Sequence, residues 1–291
     1  MPSLSRLGTV LLATLVVGAA AACAPQDDSA TPAASGTPSA SACSKDGLAV
    51  VSPGKFTVGT DKPAYEPWFV DDDPSNGKGY ESAVAYAVAQ KLGFAAADVT
   101  WIVVPFTNAY APGVKKFDVD INQVSITEAR RKAVDFSSGY YDLAQTVITV
   151  KGSKIAGAKS VAELKDAKLG AQVGTTSYTA ITEQIQPSQR AAVYDTNDLA
   201  VQALKNGQVD GIVVDLPTAF YMTAAQLDDG VIVGQLPAGS AQADQLGMVL
   251  AKGSALTPCV SQAVDALKSD GTLDKLESQW LSKPDGAPRL S

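Results

Sequence analysis

Histidine is absent from all 291 residues. That excludes a Ser-His-Asp triad, a Cys-His dyad, a His-ligated zinc site and a histidine pH sensor. Any chemistry would fall to carboxylates, Lys, Tyr, Ser or a cofactor. Basic residues are in deficit, 23 Lys and Arg against 30 Asp and Glu for a net charge of −7, which argues against a nucleic-acid partner. Aromatics are sparse at 7% and charges modest at 18%, yet 46% of residues are hydrophobic, a globular rather than disordered balance. No Gly-Lys-Ser/Thr phosphate loop and no dinucleotide fingerprint occur. The run Asp71-Asp72-Asp73, with Asn76 and Gly77, lacks the spacing and closing Glu of a calcium loop and reads as a solvated loop.

The longest apolar run stands at the N-terminus, where Arg6 precedes Leu7 to Ala22. It is short for a spanning helix and ends in Ala20-Ala21-Ala22 directly before Cys23, so residues 1–22 read as an export signal. The segment resembles a bacterial lipoprotein signal, which implies that Cys23 becomes the lipidated first residue; ordinary secretion or an uncleaved anchor are the alternatives. Ala24 to Ala42 is almost only Ala, Ser, Thr and Pro. It cannot bury enough surface to order itself, and residues 23–43 read as a tether spanning roughly 25 Å as a coil.

Beyond the tether, short β-branched runs alternate with helical patterns. Phe56 to Thr60, Val99 to Val104, Val119 to Asn122 and Thr146 to Val150 read as strands, and Tyr80 to Leu92 as a helix with Tyr80, Val84, Ala87, Val88 and Leu92 on one face. A helix or turn is expected near Asn108 to Lys116 and a short helix over Thr127 to Val134. Downstream, strands at Lys168 to Val173, Ala191 to Tyr194, Gly211 to Val214 and Val231 to Val233 alternate with four helices. A strand at Leu246 to Leu250 and two helices divided by Gly271 follow. The alternation implies an α/β fold with largely parallel sheets. With Cys23 assigned to lipid, Cys43 and Cys259 remain as a disulfide pair permitted by export, or else as two free thiols.

Three segments carry a specific likeness: Gly54-Lys-Phe-Thr-Val-Gly-Thr-Asp61; Tyr65-Glu-Pro-Trp68; and Val124-Ser-Ile-Thr-Glu-Ala-Arg130-Arg-Lys-Ala-Val-Asp-Phe-Ser137 with Tyr140-Tyr141 behind it. With the closing Asp270-Gly-Thr-Leu-Asp-Lys-Leu-Glu-Ser-Gln-Trp280, they make the chain resemble the polar amino acid solute-binding proteins of ABC importers, from Gly54 to Leu281. The resemblance implies a two-lobed periplasmic-binding-protein-like (type II) α/β fold, with a hinge and an inter-lobe cleft that closes on solute. Lobe 1 would hold 44–148 plus 243–291, and lobe 2 would hold 149–242. The implied partners are a polar amino acid and an ABC permease in the cytoplasmic membrane. The chain would act as a monomer with no cofactor, anchored by lipid to the outer face of that membrane.

A zwitterion entering a closed cleft loses water around both charges, so each needs a fixed partner. The resemblance assigns the carboxylate to Arg130, helped by Ser125 and the N–H groups around Thr176, and the ammonium to Asp215. It assigns the side-chain pocket to Asp61, Tyr65 and Phe106. Asn122 and Gln123 stand where relatives have small residues, and Gln172 where glutamine binders have a lysine. On residue type alone, Arg130 in Arg130-Arg131-Lys132 reads as an exposed helix charge, the commonest fate of such runs. Asp215 is equally a helix N-cap, Asp61 a turn residue, and Tyr65 and Phe106 core aromatics. Besides transport, a ligand sensor for a membrane signalling protein and an exported dehydratase-like enzyme on the same fold remain possible.

Overall fold

Alternating apolar residues turn the β-branched runs into the strands of two sheets, and a computed structural model describes residues 43–238, 244–281 and 286–291 of them and their connections. The expected signal at 1–22, Cys23 and the tether to Ala42 lie outside the described residues. From Cys43 the chain forms β1 (Phe56–Thr60), α1 (Tyr80–Lys91), β2 (Val99–Val103), α2 (Phe106–Ala109), β3 (Val119–Asp120), α3 (Glu128–Arg131) and β4 (Val134–Phe136). It crosses by β5 (Tyr141–Leu143) into β6 (Gln145–Val150), then β7 (Leu169–Gln172), α4 (Thr176–Ala180), β8 (Ala192–Tyr194), α5 (Asn197–Lys205), β9 (Gly211–Asp215), α6 (Leu216–Tyr221) and β10 (Gly230–Gln235). It returns through β11 (Asp244–Leu246) to β12 (Val249–Ala251), α7 (Thr257–Ser269) and α8 (Thr272–Trp280).

The first sheet has the order β2-β1-β3-β12-β4 and the second β10-β6-β9-β7-β8, with β5 and β11 paired antiparallel as a ribbon between them. Both sheets are mixed rather than largely parallel. β1 runs parallel to β2 and β3, but β12, which returns from the other lobe, is antiparallel to β3 and β4. In the second sheet β7 is parallel to β8 and β9, whereas β6, which enters across the hinge, is antiparallel to β9 and β10.

These pairings also move the lobe boundaries from those expected. Because β6 pairs with β9 and β10, the first crossing falls at Ala144 and not after residue 148. Residues 286–291, expected in lobe 1, lie on the second sheet. The Gln235 N–H donates to Pro288 O at 2.8 Å, the Leu290 N–H to Gln235 O at 2.9 Å, and the Val161 N–H to Ser291 O at 2.9 Å. Leu290 is buried in that lobe's core. The strand expected at Leu246 to Leu250 is broken at Gly247, where a Cβ would sit 2.7 Å from Ile126.

Each lobe has its own core. Phe56 and Val58 of β1 pack with Tyr80, Val84, Val88 and Leu92 of α1 and with Val260 and Val264 of α7. In lobe 2 the strand alternation separates two faces: Val213 with Ile181 and Ile185 on one, Ile212 and Val214 with Leu204 and Met222 on the other. Cys43 and Cys259 are joined, with S–S 2.01 Å, tying the first described residue to α7. Among the described residues no helix is long and apolar enough to cross a membrane.

Candidate functional site

The two lobes face each other across a narrow cleft. Its walls carry all ten side chains singled out in the sequence: Asp61, Tyr65, Phe106, Asn122, Gln123, Ser125 and Arg130 from lobe 1, and Gln172, Thr176 and Asp215 from lobe 2. Half of them stand at or just beyond strand ends, where the chain turns toward the other lobe.

Arg130 is positioned by a short helix that Thr127 caps, its Oγ1 accepting the Arg130 N–H at 3.2 Å. Its neighbours Arg131 and Lys132 are exposed, whereas Arg130 retains only 8% exposure. The guanidinium lies 4.4 Å from the Tyr110 ring centroid and 5.6 Å from that of Phe106. It donates to Ser125 O at 2.7 Å and, across the lobes, to Gly174 O at 3.0 Å. Burial lowers its pKa, with Tyr110 and Asp215 opposing.

Asp215 ends β9 and occupies the N-cap position of α6, but its carboxylate makes no capping bond. Instead it accepts from Gln145 Nε2 at 2.9 Å. Burial pushes its pKa up to about 7, against the pull of the Gln145 hydrogen bond and the Arg130 charge.

Lobe 1 supplies the rest of the near wall. Asp61 follows β1, and its two oxygens accept the N–H groups of Lys62 at 2.7 Å and Phe106 at 3.1 Å, which holds α2 and the Phe106 ring in place. Asn122 and Gln123 follow β3, and Gln123 takes φ 49°, a left-handed conformation uncommon for a side chain of its size. Burial and the Asp198 charge push the Tyr65 phenol up to about 12. On the far wall Gln172 ends β7, and Thr176 opens α4 behind its cap Thr175.

Among the described residues, four hydrogen bonds hold the lobes against each other. Trp68 Nε1 donates to Thr218 Oγ1 at 2.9 Å, and the Tyr110 hydroxyl to Gly174 O at 3.0 Å. Ser125 Oγ and Thr176 Oγ1 are 3.0 Å apart, and the Arg130 bond to Gly174 is the fourth. Gly174 has φ 73°, and a Cβ there would collide with the Tyr110 hydroxyl, so the close approach needs a glycine.

The sequence reading missed several participants. Thr175, Ser177, Asn197, Val214 and Thr218 also line the cleft. Thr175 and Asn197 sit at helix starts, so their Thr-rich N-cap patterns were the available signal. Gln145, which orients Asp215, gives no signal inside a β-branched strand. Asp71 to Asp73 form a folded turn: Asp72 accepts from the Ala64 N–H and Asp73 from Ser75, and among the described residues no group of three metal-ligating side chains occurs.

Residues 56–283 match the profile of the bacterial extracellular solute-binding proteins, family 3. The chain belongs to this family. Among similar proteins, this family 3 member is 30% identical over 168 residues to ABC transporter arginine-binding protein 1 of Escherichia coli, covering 57% of this chain and 67% of that one. The L-cystine-binding protein TcyJ of Escherichia coli is 29% identical over 220 residues, 75% of this chain and 79% of the relative. The glutamine-binding protein GlnH of Bacillus subtilis is 31% identical over 176 residues, 59% and 61%. Among solved structures, an ancestral arginine-binding protein bound to arginine superposes with TM-score 0.65 at 31% identity, over 79% of this chain and 99% of its own. An ancestral amino acid-binding protein described as a precursor of cyclohexadienyl dehydratase gives 0.64 at 32%, over 79% and 96%. The fold is the type II periplasmic amino acid-binding architecture, and the relatives are amino acid-binding proteins of ABC transporters.

Proposed function

We propose that this solute-binding protein captures a polar amino acid with a glutamine-like or cationic side chain and presents it to an ABC permease. In this reading a lipid on Cys23 holds it, as a monomer, at the outer face of the cytoplasmic membrane. The observation that carries the reading is the opposed pair in one cleft, a buried guanidinium from lobe 1 and a half-buried carboxylate from lobe 2. A zwitterion needs both at once, and the α-carboxylate would lie on Arg130, Ser125 and the Thr176 N-terminal turn while the α-ammonium meets Asp215. The aliphatic stem would lie on Tyr65 and Phe106, with Asp61, Asn122, Gln123 and Gln172 around the distal group.

A thermal-shift screen of the amino acids tests the class of solute, since a ligand at 100 times its Kd stabilises by about 2.7 kcal/mol. Arg130→Ala should weaken binding of the solute found by about 2 to 5 kcal/mol, because the solute carboxylate is left buried without its partner. Affinity within twofold of wild type in calorimetric titration would refute the clamp. Solute recovered unchanged after prolonged incubation separates capture from turnover.

A further inference from the structure

We propose that Glu81, a carboxyl outside the cleft, is a positioning residue that fixes which end of the Gln123 amide faces the solute, so that the pocket selects a hydrogen-bond donor. The proposal rests on the amino-acid reading of the cleft. Glu81 lies in the first turn of α1 and is fully buried. Oε1 accepts the Gln123 backbone N–H at 2.7 Å and the Tyr140 hydroxyl, and Oε2 accepts from Gln123 Nε2. An ionised carboxylate only accepts, so the amide must turn its NH₂ toward Glu81. Gln123 lines the cleft, and its carbonyl is the end left to face the solute. The same Glu81 oxygen that binds the backbone N–H supports the left-handed conformation of Gln123.

The arrangement depends on pH. Burial pushes Glu81 up to about 7, against the hydrogen bonds from Tyr140 and Gln123. The groups facing it are the carboxyls of Asp120 on β3 and Asp215 across the cleft and the phenols of Tyr80 and Tyr140; Asp274 and Glu277 of α8 act on Tyr80. All are acidic or neutral. A protonated Glu81 gains an O–H that needs an acceptor, and the Gln123 amide supplies one by rotating about its last bond. Its NH₂ then faces the solute, and the pocket comes to favour an acceptor.

Glutamine and glutamate γ-methyl ester test this, because both are neutral and differ only in NH₂ against OCH₃ at the distal carbonyl. The contacts to the solute backbone, Asp215 among them, therefore drop out of the ratio of their affinities, read by competition against a bound amino acid. Wild type should prefer glutamine by about tenfold at pH 8.5 and lose most of that preference at pH 5.5. Glu81→Gln keeps the shape but offers an NH₂ to Gln123, so it should show the low ratio at both pH values. A folded Glu81→Gln protein with the wild-type ratio at both would overturn the proposal. Should that variant not fold, Gln123→Met serves: a ratio that still changes with pH without the amide overturns it equally. Wild type that binds amino acids but rates the two analogues alike at pH 8.5 refutes the proposal and leaves the cleft reading intact, whereas wild type that binds no amino acid overturns both.

Discussion

Asp215 gives the affinity a pH dependence whose size follows from its burial. With the lobes closed and no solute between them, burial pushes its carboxyl up to about 7 from 3.8. That difference corresponds to about 4 kcal/mol opposing the charged form. A solute ammonium beside it reverses the balance, and the bound state keeps Asp215 ionised. Between pH 5 and 8 neither charge of the solute backbone titrates, so binding must expel the Asp215 proton wherever the free protein holds one. The sign is fixed: affinity falls as pH falls below 7, by up to about tenfold per pH unit, and about half a proton leaves per solute bound at pH 7. Free-protein stability moves the other way. A carboxyl raised on folding favours the folded state at low pH and withdraws that support as pH rises from 3.8 through about 7. Solute should therefore raise the Tm more at pH 8 than at pH 5. Calorimetric titration from pH 5 to 8, in two buffers of different ionisation enthalpy, reads both affinity and proton release. Asp215→Asn should remove the share of the slope that Asp215 contributes, leaving only what Glu81 adds, and weaken binding at pH 8 by about 2 to 5 kcal/mol. Wild-type affinity constant within threefold over that range, with no buffer-dependent heat, would refute the reasoning.

Thr218→Val removes the acceptor of Trp68 Nε1 in the closed form only, which should cost closure about 1 to 3 kcal/mol, weaken solute binding about fivefold or more and shift small-angle scattering toward the open form. Unchanged affinity would show that this bond does not hold the lobes. The Cys43 to Cys259 link closes a loop with a sequence separation of 216, so replacing both cysteines by Ala should cost about 3 to 5 kcal/mol in denaturant unfolding; a loss under about 1 kcal/mol would contradict it. Glutamate and aspartate would bring a like charge to Asp61 and should compete less well than glutamine, asparagine or arginine. Glutamate outcompeting both glutamine and arginine at neutral pH would mean that Asp61 does not face the solute.

Much of the cleft is legible in the sequence because its residues sit at strand ends and helix starts, positions that short motifs mark. Asp61 directly follows a β-branched run and Asp215 directly precedes Leu216-Pro217, so each could be placed at the mouth of its lobe without coordinates. The exposure of individual charges is different. Arg130 and Arg131 are adjacent and alike, and only the packing of Phe106 and Tyr110 over one of them distinguishes the buried guanidinium. Glu81 reads in sequence as an ordinary acid in the first turn of a helix, and its burial depends on Tyr140 and Gln123, both distant in the chain. The first lobe crossing differs from the one expected because β5 is three residues long, too short for a periodic signal, and because strand pairing assigns β6 to a sheet.

The last residues of the chain rest on the second sheet while Cys43 is riveted to the first lobe, which gives the molecule a handle on each moving body. Fluorophores carried on unnatural residues at positions 44 and 291 would ride on different lobes and leave the cleft walls untouched. Their energy transfer would track opening and closing in single molecules, with no reporter group near the solute.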